Sequence, residues 1–209
     1  MTTGLSGRRG EAARNDGVIL EAAREVFLED PKAPVSAVAH RAGVGISALY
    51  RRYPGKEDLL RQVCHDGLRR YLDEASAALE EPDGWAAFAG FLARVVDADV
   101  HSLTVHLAGT FTPTPEMGAD AQRSGALAAE LVSRAHASGR LRRDATVGDV
   151  GMVLEMCAAI RLPDADRTRD LRRRYLALLL AGLSTEGEPL PGPPPTAADS
   201  RHRWRREPA

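Results

Sequence analysis

The chain has 209 residues, 44% of them hydrophobic, with 28 basic side chains against 29 acidic ones and a formal net charge of -1, so it can bury a substantial core and nothing in its overall charge demands a polyanionic partner. No stretch reaches the roughly 18 apolar residues that span a bilayer, and the N-terminal MTTGLSGRRGEAARND has neither the apolar run nor the cleavage site of a secretory signal. A soluble, cytoplasmic protein with no membrane partner is expected. Cys64 and Cys157 have no CxxC spacing and no histidine at ligand distance in sequence, which points to buried free thiols rather than to a metal site or a disulfide framework.

Helical periodicity dominates and no alternating run suggests a sheet, so the fold class is all-α. Residues 1–13 are expected to form a disordered arm. Ile19, Ala22, Ala23, Val26 and Phe27 fall at i, i+3, i+4, i+7 and i+8, one apolar face of a first helix over 14–28 that Asp30-Pro31 ends. A short second helix is expected over 36–42, with Val38 and Ala39 inward and Gly43 as its stop. After the AGVG turn a third short helix runs over 46–53 and Pro54-Gly55 closes it, which together make a helix-turn-helix.

A long fourth helix starts near Lys56, with Glu57 and Asp58 in the first turn where the helix dipole favours them, and runs to about residue 80. From Gly84 to Phe111 the chain is aliphatic and aromatic and poor in charge, which implies burial on several sides. Further helices are expected over 117–136, 147–161 and 166–183. The stretch GEPLPGPPPTAADSRHRWRREPA carries five prolines within 187–195 and ends in arginines, so a disordered tail over 186–209 is expected, in which Trp204 and the arginines are solvated. Between the arm and the tail, residues 14–60 read as a three-helix DNA-binding domain and 61–185 as a helical ligand-binding and dimerisation domain, joined by the long helix.

Charge is uneven where the short helices lie. Between Pro34 and Lys56 stand Arg41, Arg51, Arg52 and Lys56 and no Asp or Glu. A recognition helix must show small or polar side chains to the major groove while its other face holds to the core. Ile46, Leu49 and Tyr53 share one face by helical geometry and are expected to be that core face. Gly45, Ser47, Ala48 and Arg51 are then the candidate base contacts: Gly45 and Ala48 let the backbone approach, and Arg51 can make the bidentate contact with guanine. Tyr50, Arg52 and Lys56 suit phosphates, the arginine and lysine through charge and the phenol through its hydroxyl.

The run AVAHRAGVGISALYRRYPGKEDLL, with VILEAAREVF before it, resembles the tetracycline-repressor-like (TetR) family of transcriptional regulators in its short helix, AGV turn, Leu-Tyr pair, following aromatic and the lysine that opens the long helix. The later SGRLRRDATVGDVGMVLE and LRRRYLALLLAGL are similar, more weakly, to the C-terminal part of an actinobacterial branch. The resemblance implies a homodimer whose recognition helices enter successive major grooves of a palindromic double-stranded operator, and a C-terminal domain in which a small-molecule effector changes their separation. It also implies phosphate contacts from Tyr50, Arg52 and Lys56. Arg52 stands where the family usually has histidine, Gly45 where it often has a hydroxyl side chain, and Pro34-Val35 where a capping Ser or Thr commonly precedes the second helix. Ser36 is expected to take over that cap and its phosphate contact.

The apolar segment has more large groups than one helix needs to cover one face, and a surplus of this kind can enclose a cavity. Trp85, Phe88, Phe91, Leu92 and Val95 are candidate lining residues, with His101, His106, Met152, Met156 and Cys157. A mostly apolar ligand with a few polar groups fits this set. His101 and His106 are five apart and do not share a face, so no metal pair is expected. Val150, Leu154 and Ile160, then Leu171, Tyr175, Leu178 and Leu179, with small residues between them, suit a four-helix interface between two copies.

The chain therefore reads as a repressor released by a ligand, against the alternative of a helical protein-interaction module with a vestigial helix-turn-helix. The absence of GxSxG, HExxH and phosphate-loop motifs speaks against an enzyme, and no cofactor is called for.

Overall fold

A computed structural model describes residues 4–184, 187–196, 198 and 199. Among them the secondary structure is helical: α1 (Gly4–Glu29), α2 (Val35–Ala42), α3 (Ile46–Arg52), α4 (Lys56–Ala78), α5 (Gly84–Asp97), α6 (Val100–Leu107), α7 (Pro115–Ala137), α8 (Val147–Ala159) and α9 (Ala165–Leu183). The helix α1 begins at Gly4 and so takes in most of the segment expected to be a disordered arm. The run RRGEAAR supplies strong helix formers and no proline, so local propensity lets the helix continue toward the N-terminus.

Two apolar clusters organise the chain. The first joins Ile19, Ala23 and Phe27 of α1, Val38 of α2, Leu49 of α3 and Leu59 and Val63 of α4, and it continues into Leu103 and Leu107 of α6, with Phe111 just beyond. The second gathers α5, α7, α8 and the last turns of α4, centred on Phe88, Phe91, Leu92, Leu131 and Leu154. The N-terminal helices therefore share a core with α6, which lies far along the chain.

Two glycines make this packing possible for different reasons. Gly43 caps α2 in the left-handed region at φ 66°, where the next amide, Val44 N–H, donates back to Ala39 O at 3.0 Å. Gly84 allows α5 to start against α7, because a Cβ there would lie 2.6 Å from the Arg134 carbonyl carbon. Arg134 itself closes the α4–α5 corner by donating to the carbonyls of Leu79 (2.6 Å), Glu81 and Pro82 (3.3 Å), oxygens that the end of α4 and its turn would leave open.

The apolar segment expected from Gly84 onward is broken at Ala98-Asp99, where Asp99 takes φ 51° and separates α5 from α6. The Pro-rich segment also departs from expectation. Residues 187–196 lie along the loop before α8: Leu190 N–H donates to Asp144 Oδ2 at 2.8 Å, Arg142 Nη2 donates to Glu188 O at 2.9 Å, and Pro195 packs onto Gly148. Proline-rich chain loses little entropy when fixed in an extended path, so a few backbone hydrogen bonds hold it without apolar burial. The Arg-containing end with Trp204 lies outside the described residues.

Candidate nucleic-acid interface

Helix α3 buries Leu49 completely and leaves Gly45, Ser47, Ala48, Tyr50, Arg51 and Arg52 exposed. Tyr53, the residue after its last turn, is buried. Ile46 corrects the expected core face: it is 39% exposed at the first position of the helix, because one turn of lead places it at the rim rather than over α2. The expected reading set Gly45, Ser47, Ala48 and Arg51 thus faces solvent, joined by Ile46.

Ser36 does not take over the cap of α2. The N-cap is Pro34, which has no side chain able to accept a hydrogen bond, and Ser36 is an exposed residue of the first turn. Its hydroxyl stays on the outer surface.

The basic character read from the sequence is largely compensated in space. Arg41 pairs with Glu25 at 2.7 Å and Glu29 at 3.3 Å, and Arg52 pairs with Asp16, all three acids coming from α1. Lys56 turns inward: its Nζ donates to Ala33 O at 2.7 Å and lies 5.3 Å from the centroid of the Phe27 ring. Burial pushes the Lys56 ammonium pKa down, with Asp30 acting against that. Such an ammonium fastens the start of α4 to the α1–α2 corner, whereas Tyr50 and Arg52, the other two expected phosphate contacts, are exposed. Among the described residues Arg51 has no ion pair, which leaves its five donors for a partner outside the chain.

The expected ligand pocket is closed. Trp85, Phe88, Phe91, Leu92 and Val95 are buried in the second cluster, with Trp85 and Phe88 ring centroids 5.8 Å apart and Phe91 edge-on to Tyr71 at 5.1 Å. A small void of about 10 Å³ remains where Val95, His101 and Cys157 meet Val96, Leu154 and Arg172, room for one water. His106 is tied to the Ser102 carbonyl at 2.7 Å through its Nδ1, and Met152 is half-buried. Met156 does not belong to the pocket: it is exposed, on the outer side of α8. Burial pushes the Cys64 thiol up to about 12 and raises that of Cys157, against the pull of Arg172, so both stay as neutral thiols.

The outer faces of the last two helices are apolar and uncovered. Tyr175 is 49% and Leu178 57% exposed, Leu171 lies one turn before and Gly182 one turn after on the same stripe, and Met152, Met156 and Ala159 line the outside of α8. Val150 and Leu154, expected in the interface, are buried in the core instead, and Ile160 and Leu179 are half-buried. Periodicity named the helices but not which of two apolar stripes faces inward; packing against α5 and α7 decides it.

Several site residues carry no motif. Asp16, Glu25 and Glu29 matter only because α1 crosses the helix-turn-helix. Asp97 and Asp99, acids within an apolar run, were the signal that could have located the α5–α6 break. His65 of α4 with Glu116 and Asp120 of α7 place an imidazole and two carboxylates within 4.8 Å of one another. His65 Nε2 is 2.8 Å from Asp120 Oδ2, and Glu116 is engaged by Arg69 at 2.9 Å, so the cluster ties α4 to α7.

Residues 19–63 match the family model for bacterial regulatory proteins of the tetR family. A curated relative, the HTH-type transcriptional repressor LfrR of Mycolicibacterium smegmatis, is 38% identical over 74 residues, an alignment that spans 35% of this chain and only 37% of that repressor. Solved structures extend the likeness along the chain. A TetR transcriptional regulator from Streptomyces coelicolor is 26% identical with a TM-score of 0.60, covering 82% of this chain and 99% of its own. A TetR regulatory protein from Mycobacterium vanbaalenii is 25% identical with a TM-score of 0.60, covering 85% and 99%. LfrR from Mycobacterium smegmatis, solved in complex with proflavine, shares the fold at a TM-score of 0.62 and 21% identity over 85% of this chain and 99% of its own.

Proposed function

We propose that the chain, whose residues 19–63 match the model for bacterial regulatory proteins of the tetR family, is a sequence-specific DNA-binding transcriptional regulator of that family, a cytoplasmic homodimeric repressor released from a palindromic operator by a small, largely apolar ligand. One observation carries the DNA-binding reading: α3 exposes Gly45, Ser47, Ala48 and Arg51, which has no ion pair among the described residues, on one side while Leu49 anchors the other in the core. That is a face a major groove can accept. The uncovered stripes of α8 and α9 support self-association, and no helix among the described residues is long and apolar enough to cross a membrane. The apolar cluster around Phe91 is closed, so the proposed ligand has to open its own site.

Binding to the DNA upstream of its own gene, followed by fluorescence anisotropy at several salt concentrations, tests this reading. Arg51→Ala should relax sequence preference by about 1–3 kcal/mol at one base position per half-site. Arg52→Ala should weaken all sequences alike and flatten the salt slope by about one phosphate contact. If both variants bind as the parent does, α3 is not the reading element. For the ligand, a compound that prefers the folded protein raises the melting temperature in a thermal-shift screen.

The pairing of Arg52 with Asp16 sharpens one expectation. Asp16 occupies the guanidinium that a phosphate would take and sets a negative charge beside the DNA path. Asp16→Asn is therefore expected to strengthen binding to DNA of any sequence several-fold at low salt and to steepen the salt dependence by about one contact. An unchanged slope would remove Arg52 from the phosphate contacts.

A further inference from the structure

We propose that the carboxylate of Asp99 is the link through which the α8–α9 pair controls the DNA-binding helices, one oxygen held by Arg24 of α1 and the other by Arg172 of α9. The regulatory purpose of the link rests on the reading given under Proposed function; its existence as a mechanical coupling does not.

Asp99 sits in the break between α5 and α6 at φ 51°, a left-handed conformation that aspartate tolerates better than most side chains but that still strains the backbone. Arg24 Nη2 lies 3.1 Å from Asp99 Oδ2 and donates to the carbonyls of Ala98 (3.3 Å) and Asp99 (3.1 Å). Arg172 Nη1 lies 2.5 Å from Asp99 Oδ1. The rest of the Arg172 guanidinium is spent on the end of α8: Nε donates to Ile160 O at 3.0 Å, and Nη2 to Ala158 O at 3.3 Å and Ser102 Oγ at 3.2 Å. Ser102, fully buried on α6, donates to Asp99 Oδ1 in turn.

One carboxylate thus gathers α1, the start of α6 and α9, and through Arg172 the end of α8. Arg172 is only 6% exposed, so its half of the link is little softened by water, while Arg24 and Asp99 are partly exposed. Paired and unpaired are two discrete states, which is what an element coupling two sites requires. Asp99 and Arg172 also border the small void beside Val95, His101, Leu154 and Cys157. A ligand that enlarges this void by moving Asp99 or Arg172 changes what Arg24 holds on the DNA-binding side.

Amide hydrogen exchange on the full-length protein, with neither ligand nor DNA present, tests the coupling. Among the described residues Arg172 makes no hydrogen bond to α1, so a purely local role would leave α1 unmoved. In Arg172→Met, exchange in residues 18–29 should rise roughly tenfold together with that at the end of α8, while α7 keeps its protection. Arg172→Lys, the milder change should Arg172→Met fail to fold, should show the same pattern to a smaller degree. Arg173→Gln, which breaks only the exposed pair with Asp97, should leave α1 unchanged. If α8 and α9 loosen in the Arg172 variants while α1 does not, or if α7 loosens equally, the link is refuted. Asp99→Asn should then shift affinity for the upstream DNA at least about threefold without altering the salt slope, since no phosphate contact is touched; unchanged affinity would refute the control of DNA binding. Failure of the parent to bind any DNA would overturn the regulator reading and leave the exchange result standing.

Discussion

Leu178→Glu is expected to convert the proposed homodimer to monomers and to weaken binding to the proposed two-half-site operator by about 10²–10⁴-fold, the gain that simultaneous engagement of two sites supplies. Leu178 is 57% exposed in the isolated chain and lies at the centre of the outer stripe of α9, with Tyr175 beside it and Met156 on neighbouring α8. Against a second copy of that stripe a carboxylate would be desolvated with no partner. The inner stripe of α9, Arg172 and Leu176, is untouched, so the monomer should keep its stability to within about 0.5 kcal/mol. Sedimentation at micromolar concentration and an anisotropy titration separate the two effects. A dimer that survives the substitution would move the interface away from this face.

Leu49→Ala is expected to destabilise the N-terminal helices by about 2–5 kcal/mol, the range for truncating a fully buried leucine. Leu49 is the one buried residue of α3 and is completely enclosed. A seven-residue helix whose N-cap offers no side-chain hydrogen bond has little stability of its own, so the contact that docks it is also what forms it. Chemical denaturation should show an early transition, and DNA binding should fall with it while the C-terminal helices persist. Ile46→Ala, three residues earlier on the exposed rim, should change stability by no more than about 0.5 kcal/mol. Comparable losses from both would mean that α3 packs by a different face.

Much of the N-terminal half was legible in the sequence. The apolar spacing from Ile19 to Phe27, the stop at Gly43 and the outward placement of Ser47, Ala48 and Arg51 each follow from geometry spanning a few residues. The errors are also instructive. Ile46 fits the core face by spacing and still lies at the rim, because the first residue of a two-turn helix has no preceding turn to bury it. Spacing puts Val150 and Leu154 outside and Met156 inside, the reverse of what packing imposes, since α8 is apolar on both sides and periodicity alone does not say which side meets α5 and α7.

Electrostatics was the least legible. An acid-free stretch from Pro34 to Lys56 reads as a basic patch, yet Glu25, Glu29 and Asp16 of α1 compensate Arg41 and Arg52, and a backbone carbonyl takes Lys56. Of the two adjacent arginines, Arg51 remains available and Arg52 is held in reserve by its partner.

The sequence by itself determined the helices, the glycine-closed turn and the outward face of α3, because helical period, capping and left-handed glycine geometry act over one or two turns of chain. Only the tertiary structure decided which charges are neutralised, that the apolar cavity is closed, which stripe of α8 and α9 stays uncovered, and that Asp99 joins α1 to α9. Those features depend on groups brought together across long stretches of chain, as with Arg24 and Asp99 at a separation of 75 residues, and electrostatic pairing follows distance in space rather than order in sequence.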